Sequence, residues 1–511
     1  MPAVEREERM PETVVVIGGG MAGLWSALTL GKAGHSVKLL ERDPPPPAGD
    51  VDTAFNEWER KGVGHLRHSH AFLARLYQII RDHFPELLDE LYEAGARELK
   101  FADGLPITLK DKYEPLPSDA DLSILTCRRT TLEFVMRAHA EKMANVEFIT
   151  EVIVRGLEAE KKPEGLTITG VRGERADGTA ETWNADIVVD ASGKSGQTDV
   201  WLKEYGVEYE EFSQECGILY FTRHYKLRDG WEEPERGVIP GAGDLGFLKY
   251  GVFPGDNRCF SITLSVAEVE MELRKKILHP EVFDGVCAQL PGIAEWTSAE
   301  RSEPTSRVFG MGNLVARWRK LEDETGKPKV LNYFPAGDTY VRTNPLYGRG
   351  CSFAAVAAQV LKTALEESSD PVARGKAYIA GTEAELRPYF DNMCKQDLTA
   401  RKVAENTLTP GYKPSLKSRI AKSFLDDGIS IALRGDVRMM REAMQGFHML
   451  QAPDLWLKKV GNAATVARYW VTPKPFKAKL YPPKLGPDRA ELLQRVGVSP
   501  TADLRQASAA E

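Results

Sequence analysis

Cysteine is scarce in this chain: six in 511 residues, at Cys127, Cys216, Cys259, Cys287, Cys351 and Cys394. None stands in a CxxC or CxxxC pair, which argues against structural zinc and a disulfide framework and suits a reducing cytosol. No apolar run reaches the roughly 18 residues that a membrane-spanning helix needs. Charge is near balance, 67 Lys and Arg against 74 Asp and Glu, so no bulk positive field points to nucleic acid. The first twelve residues, MPAVEREERMPE, are charged and hold no apolar segment; a signal peptide is not expected, and 1–11 are expected to form a short mobile tail. Internal repeats and low-complexity tracts are missing too. The length exceeds what one core usually supports, so two or more modules are expected.

The most informative stretch is 13–42, TVVVIGGGMAGLWSALTLGKAGHSVKLLER. An apolar run meets Gly18-x-Gly20-x-x-Gly23, a helical pattern follows, and a second apolar run ends in Glu41 and Arg42. This is a strand, a glycine turn, a helix and a strand closed by an acid. Gly18 permits the tight turn, Gly20 lets backbone approach a pyrophosphate, and Gly23 lets helix and strand pack closely. The helix start, with Met21 and Ala22, offers N–H groups and a positive dipole end to phosphate. Glu41, 18 residues past Gly23, stands where a carboxylate accepts from an adenosine ribose. Dinucleotide binding follows from the complete unit.

Two later segments add a flavin to this reading. In 187–196, IVVDASGKSG, a buried strand ends in Asp190, and small residues with Gly193 let the chain turn near a ligand. In 333–338, YFPAGD, a strand leads to Gly337-Asp338; then 344–358, NPLYGRGCSFAAVAA, runs a proline–glycine loop into a small-residue helix. A carboxylate at Asp338 can accept from ribityl hydroxyls. A helix starting near Gly350 can aim its N–H groups at the negative charge a reduced flavin develops at its N1–C2=O2 edge.

Elsewhere the periodicity predicts helices across 66–96, at 129–143, 266–278 and 353–367, and from 380 onward. A meander is expected over 146–190 and an antiparallel sheet over 216–266. Arg67-His68-Ser69-His70 has two readings, a capping cluster opening a helix at 70–80 or a group beside flavin or substrate; its histidines miss the i, i+3 or i+4 spacing of helical metal ligands. Strand 220–225 puts Tyr220, Thr222 and His224 on one face and Phe221, Arg223 and Tyr225 on the other. Which face meets a pocket stays open. The basic run 413–422 is taken as a solvated face, and membrane association is not expected.

The ordered set of GxGxxG with Glu41, a central Arg-x-x-Leu, Asp-x-x-Gly, then Gly-Asp and Asn-Pro-x-x-Gly-x-Gly resembles the FAD-dependent monooxygenase superfamily of the p-hydroxybenzoate hydroxylase type, over roughly 12–400. That superfamily also holds squalene-type epoxidases, geranylgeranyl reductases and flavin halogenases. Arg67–His70, 220–225 and 344–352 look closest to bacterial epoxidase and geranylgeranyl reductase-like FAD-dependent oxidoreductases. The resemblance implies an α/β fold: a Rossmann-like FAD-binding domain (12–100, 120–200, 330–400) interrupted by an antiparallel β-sheet substrate domain (101–119, 201–329), with a helical C-terminal extension at 401–511. It implies FAD held by Gly18, Gly20, Met21, Ala22, Gly23, Glu41, Arg42, Arg129 (Arg128 being the rival), Asp190, Gly193, Gly337, Asp338, Pro345, Gly348, Gly350 and Cys351. The catalytic candidates are His70, Pro345 and Arg349; the substrate candidates are Tyr220, Tyr225 and Phe253. No metal is expected. The implied reaction takes electrons from NADPH or NADH, directly or through a flavin reductase. It forms a flavin C4a-hydroperoxide from O2 and hydroxylates or epoxidises a small apolar organic substrate in the cytoplasm. A reductase or dehydrogenase of the geranylgeranyl type is the alternative, then a halogenase, then a non-catalytic flavin-binding protein. Asp190-Ala-Ser-Gly193 departs from the usual Asp-Gly, which leans toward the reductase, halogenase and epoxidase branch; the Trp-x-Trp-x-Ile-Pro halogenase motif is missing.

Overall fold

Three valines set the centre of the fold. Val14, Val15 and Val16 of β1 (Thr13–Ile17) have no exposed surface, as a strand buried on both faces requires. The computed structural model describes residues 11–498; the expected tail over 1–11, except its last residue, and the end of the C-terminal extension lie outside them. β1 pairs in parallel with β2 (Ser36–Leu40) on one side and with strand Ile187–Asp190 on the other. Strands Val146–Ile149 and Tyr333–Pro335 complete a five-stranded parallel sheet, also in parallel register.

Strand alternation divides the core. Val14 and Val16 face helices α1 (Met21–Lys32), Gly350–Glu367 and Pro371–Leu408. Val15 and Ile17 face the three-stranded antiparallel sheet Val152–Lys162, Gly165–Arg175 and Ala180–Asn184, through Ile168, Val171 and Trp183. The chain returns to the parallel sheet from far along the sequence with Tyr333–Pro335.

The second module is an antiparallel sheet in which Ile218–Leu227 pairs with Cys259–Ala267, itself paired with Leu248–Pro254. Its far face is closed by Pro280–Ala288, by Pro291–Ala294 and by Leu492 and Leu493 of the last helix, Arg489–Arg495. The helix expected over 266–278 is shorter, Met271–Lys276, because strand pairing runs on to Ala267. The expected boundary at 400 falls inside one continuous helix, Pro371–Leu408, so the extension begins after that helix. Segment 101–119, expected with the substrate sheet, shares a core with the extension instead: Phe101, Leu105 and Leu109 pack with Val437, and Arg441 pairs with Asp119. No described helix is long and apolar enough to cross a membrane.

Candidate active site

Three glycine turns far apart in sequence meet at the carboxyl edge of the parallel sheet. They follow β1, strand Ile187–Asp190 and strand Tyr333–Pro335, which are adjacent. A Cβ on Gly18 (φ +95°) would stand 2.6 Å from the Ala191 carbonyl oxygen, and one on Gly337 would stand 2.7 Å from the Ala22 Cβ. The Gly193 N–H donates to Thr339 Oγ1 at 2.9 Å. Contacts this close fix the turns as one rim, at the crevice where open α/β sheets bind ligands.

Gly20 supplies the test of whether a dinucleotide fits. Its backbone is ordinary (φ −78°), and a Cβ there would meet nothing nearer than Val63 Cγ2 at 4.0 Å. Neither backbone nor neighbouring protein atoms demand glycine, whereas Gly23 is demanded, since its Cβ would fall 1.8 Å from the Gly18 oxygen. The open volume at Gly20 suits close approach of a pyrophosphate. Helices α1 and Gly350–Glu367 both begin without a capping side chain, which leaves N–H groups for an anionic ligand.

Glu41 is buried, accepting from the Gly19 N–H at 2.7 Å and Arg60 at 3.0 Å on one oxygen and from the Asp43 N–H at 2.9 Å on the other. A carboxylate oxygen takes about two donors, so the second oxygen keeps capacity for a ribose hydroxyl. Arg60, not foreseen from sequence, continues the line to Glu133 (3.2 Å), which holds Arg129 Nε at 2.7 Å; Arg129 Nη1 then reaches His70 Nε2 at 3.2 Å. Arg128 bonds to Asp256 and Asp52 and lines the small cavity beside His68, His70 and Phe253. Arg129 is the arginine joined to the Glu41 network.

His70 is held in one tautomer. Its Nδ1 lies 2.8 Å from the His68 carbonyl, so Nδ1–H donates and Nε2 accepts from Arg129. Burial, then the Arg129 charge, pushes its pKa well below the ordinary value. Neutral and doubly bonded, the ring orients Arg129.

Asp338 keeps 36% of its side-chain surface accessible, yet burial raises its pKa against the pull of Arg342, Arg129 and Arg317. That combination places the carboxyl on a cleft wall rather than in open solvent. Asp338→Ala is expected to weaken FAD binding by about 10- to 100-fold, the worth of hydrogen bonds to a charged group. A fluorescence titration with FAD checks this.

The loop from Asn344 to Gly350 turns beside it. Gly348 (φ +63°) packs so that a Cβ would lie 3.2 Å from the Ala71 oxygen, next to His70. Pro345 and Gly350 stay exposed and Cys351 is buried in the first helical turn. Below the loop, Asp397 accepts from Asn344 Nδ2 (2.8 Å) and Tyr347 OH (2.9 Å), and burial raises its pKa to about 6.

Four expected site residues are placed elsewhere. Arg349 is buried, donates to the Tyr389 carbonyl at 2.6 Å and lies over the Tyr347 and Tyr389 rings; helix geometry turns it toward Pro371–Leu408 and away from the cleft. Asp190 has no exposed surface, and its oxygens accept from the Ser192 N–H, Thr198 and Tyr333, so it ties the second turn together. Arg42 leaves the rim with a side chain 42% exposed, beside Asp43. Tyr225 lies on the far face of the sheet, donating to Asp284 at 2.6 Å and stacking on Phe260. The open question of faces is thereby answered: Tyr220, Thr222 and His224 face the nucleotide-type domain, through Asn344 (2.9 Å), His68 (3.0 Å) and the Arg67 carbonyl (2.9 Å). Phe253 lines a small cavity there with His68, His70 and Cys127. Among the described residues no cluster of three or more His, Cys, Asp or Glu could hold a metal ion.

These histidines give the molecule a pH signature. Burial lowers His68 and His224 to about 4, and lowers His65 and His70 well below 6.5. Bases depressed on folding stabilise the fold above the unfolded value and lose that contribution as pH falls from 6.5 toward 4. Asp397, raised from 3.8 to about 6, acts oppositely, its contribution fading as pH rises through that window. Asp338, also raised, acts the same way, but the depressed histidines, with His35 and His448 added, outnumber these two carboxyls, so Tm is expected to be lower at about pH 5 than at about pH 7.5. Asp397→Asn should steepen that acid dependence, because one of the two opposing carboxyls is removed.

Residues 13–200 match the family described as FAD dependent oxidoreductase. A sequence comparison with curated proteins finds no match. Among solved structures, p-nitrophenol 4-monooxygenase PnpA from Pseudomonas putida is 16% identical, covering 86% of this chain and 98% of its own, with a TM-score of 0.57. PqsL from Pseudomonas aeruginosa is 18% identical over 78% of this chain and 97% of its own, TM-score 0.54. The flavin-dependent brominase Bmp2 is 16% identical over 82% and 99%, TM-score 0.51. The segment bearing the first two glycine turns is thus similar to the FAD dependent oxidoreductases, and the chain shares its fold with these solved structures.

Proposed function

We propose that this protein is an FAD-dependent monooxygenase that hydroxylates or epoxidises an apolar organic substrate, with NADPH or NADH as electron donor. The observation that carries the reading is the meeting of three glycine turns at the carboxyl edge of the parallel sheet, with two further elements brought against them. On one side stands the uncapped start of helix Gly350–Glu367, flanked by exposed Pro345. On the other, the buried Tyr220, Thr222 and His224 face of the antiparallel sheet bonds directly to Asn344, His68 and the Arg67 carbonyl, and Phe253 lines the small cavity at this joint.

FAD, when bound, supplies hydride acceptance and oxygen activation, so that NAD(P)H, a proton, O2 and substrate become NAD(P)+, water and oxygenated product. Gly18, Gly20 and the start of α1 would hold its pyrophosphate, Glu41 its adenosine ribose and Asp338 its ribityl chain. N–H groups at Gly350 and Cys351 would stabilise negative charge on the ring. Arg129, locked by Glu133 and His70, would hold a fixed positive charge near the cofactor. Phe253 and Tyr220 would exclude water and orient an apolar substrate.

The test is NADH and NADPH oxidation with a panel of lipophilic compounds, product mass being followed under labelled oxygen. A gain of one labelled oxygen atom supports the reading. Turnover without oxygen, yielding a reduced product, would replace it with a reductase. His70→Ala is expected to lower coupled turnover while the protein stays folded, with uncoupled NAD(P)H oxidation as a proportion of the total rising; loss of folding would assign His70 to structure alone.

A further inference from the structure

The C-terminal extension presents two stretches free of acid. Residues 406–425 hold four Lys or Arg and no Asp or Glu; residues 455–487 hold seven and none, in a chain whose net charge is −7. Helix Leu416–Ser423 has no buried residue. Leu416 is 71% exposed, Val460 84%, Val471 75% and Phe476 84%. A surface run of basic residues is ordinary. Several nearly bare aliphatic and aromatic side chains within one are not, since water exposure of each is unfavourable.

The two stretches meet. Phe424 and Trp470 pack edge to face with centroids 5.3 Å apart, the Trp470 ring N–H donates to Ser423 at 3.2 Å, and Lys474 lies 3.6 Å from Asp427. On helix Leu416–Ser423, Leu416 and Ile420 are one turn apart on one face. Among the described residues, Lys413, Lys417 and Arg419 flank them with no carboxylate at salt-bridge distance, whereas Lys422 is paired with Asp426 and, in the second stretch, Lys458, Lys459 and Lys474 with Asp454, Glu442 and Asp427.

We infer that this face docks on an anionic lipid surface. Unpaired lysines and arginines are attracted to anionic headgroups, and neighbouring apolar side chains enter the headgroup–acyl boundary, the mode of interfacial helices. Charge alone would serve a nucleic acid equally well. Leu416, Val460, Val471 and Phe476 gain nothing from phosphate and gain directly from hydrocarbon, and this decides for lipid. No spanning segment is needed. The inference is independent of the proposed chemistry, although an enzyme seated on lipid would meet apolar substrates where they concentrate.

The experiment is co-sedimentation of the FAD-loaded full chain with vesicles of phosphatidylcholine containing about one third phosphatidylglycerol, against pure phosphatidylcholine and against duplex DNA by mobility shift. Binding to the anionic vesicles alone, weakened by salt, is expected. Leu416→Ser with Phe476→Ser should cut vesicle partitioning about tenfold, as should Lys417→Glu with Arg419→Glu, with circular dichroism and flavin content unchanged. Equal binding to both vesicle types, no binding to either, partitioning untouched by the serine pair, or DNA binding as tight as vesicle binding would each overturn the inference.

Discussion

Gly20→Val is expected to abolish measurable FAD binding while the protein keeps its fold. The argument is a contrast between neighbouring glycines. Gly23 cannot carry a Cβ because the Gly18 oxygen would lie 1.8 Å from it, so a substitution there disrupts protein packing whether or not a cofactor is present. Gly20 has an ordinary backbone and open space before it, with the nearest protein atom 4.0 Å from a Cβ. The Cβ of a residue at 20 meets no protein atom nearer than 4.0 Å, and a valine there fills the space in front of the uncapped start of α1. The pyrophosphate then loses both its contact with the backbone and its place at the helix dipole. Circular dichroism should match the parent, the purified protein should be colourless, and added FAD should not restore the flavin bands. Normal flavin content in a folded Gly20→Val protein would mean that the pyrophosphate lies elsewhere.

Asp256→Ala is expected to cost about 3–5 kcal/mol of stability, the range for breaking a buried ion pair by removing one partner. Asp256 has no exposed surface and accepts from the Arg128 backbone N–H at 2.7 Å, from Arg128 Nε at 3.0 Å and from Thr131 Oγ1 at 2.9 Å. Arg128 and Thr131 belong to the start of helix Arg129–Glu141, and Asp256 to the turn joining Leu248–Pro254 with Cys259–Ala267. The carboxylate therefore pins the substrate sheet to the nucleotide-type domain. Its removal strands a buried guanidinium, with only partly exposed Asp52 left beside it. A urea titration should show the loss. A change below about 1 kcal/mol would show that the joint is held by other contacts.

The legible parts of the molecule were those written locally. The glycine fingerprint, its two strands and the acid after them fall within thirty residues, and short-range spacing predicts their geometry. The parallel sheet follows from the apolar runs at 13–17, 37–40 and 187–189. Contacts between distant segments were illegible. Arg60 joins Glu41 to Glu133 across 19 and 73 residues, and Asp397 reaches back 53 residues to Asn344; no spacing signals either. Strand alternation named the two faces of 220–225 but left open which one meets a pocket, so Tyr225 was expected at the substrate and lies in the far core. Arg349 stands in a glycine-rich loop of the type that touches ligands, yet Tyr347 of the same loop and Tyr389 of helix Pro371–Leu408, far along the chain, draw its side chain inward. Asp190 misled for a related reason: a strand-end acid can face the crevice or tie the turn, and the partners that decide, Thr198 and Tyr333, lie 8 and 143 residues away.

The convergence of the glycine turns on a single cofactor is tested most directly by a calorimetric titration of the cofactor-stripped chain with FAD. The account predicts one saturable site per chain, with the yellow complex recovered after gel filtration. A stripped, folded chain that takes up no FAD would contradict it.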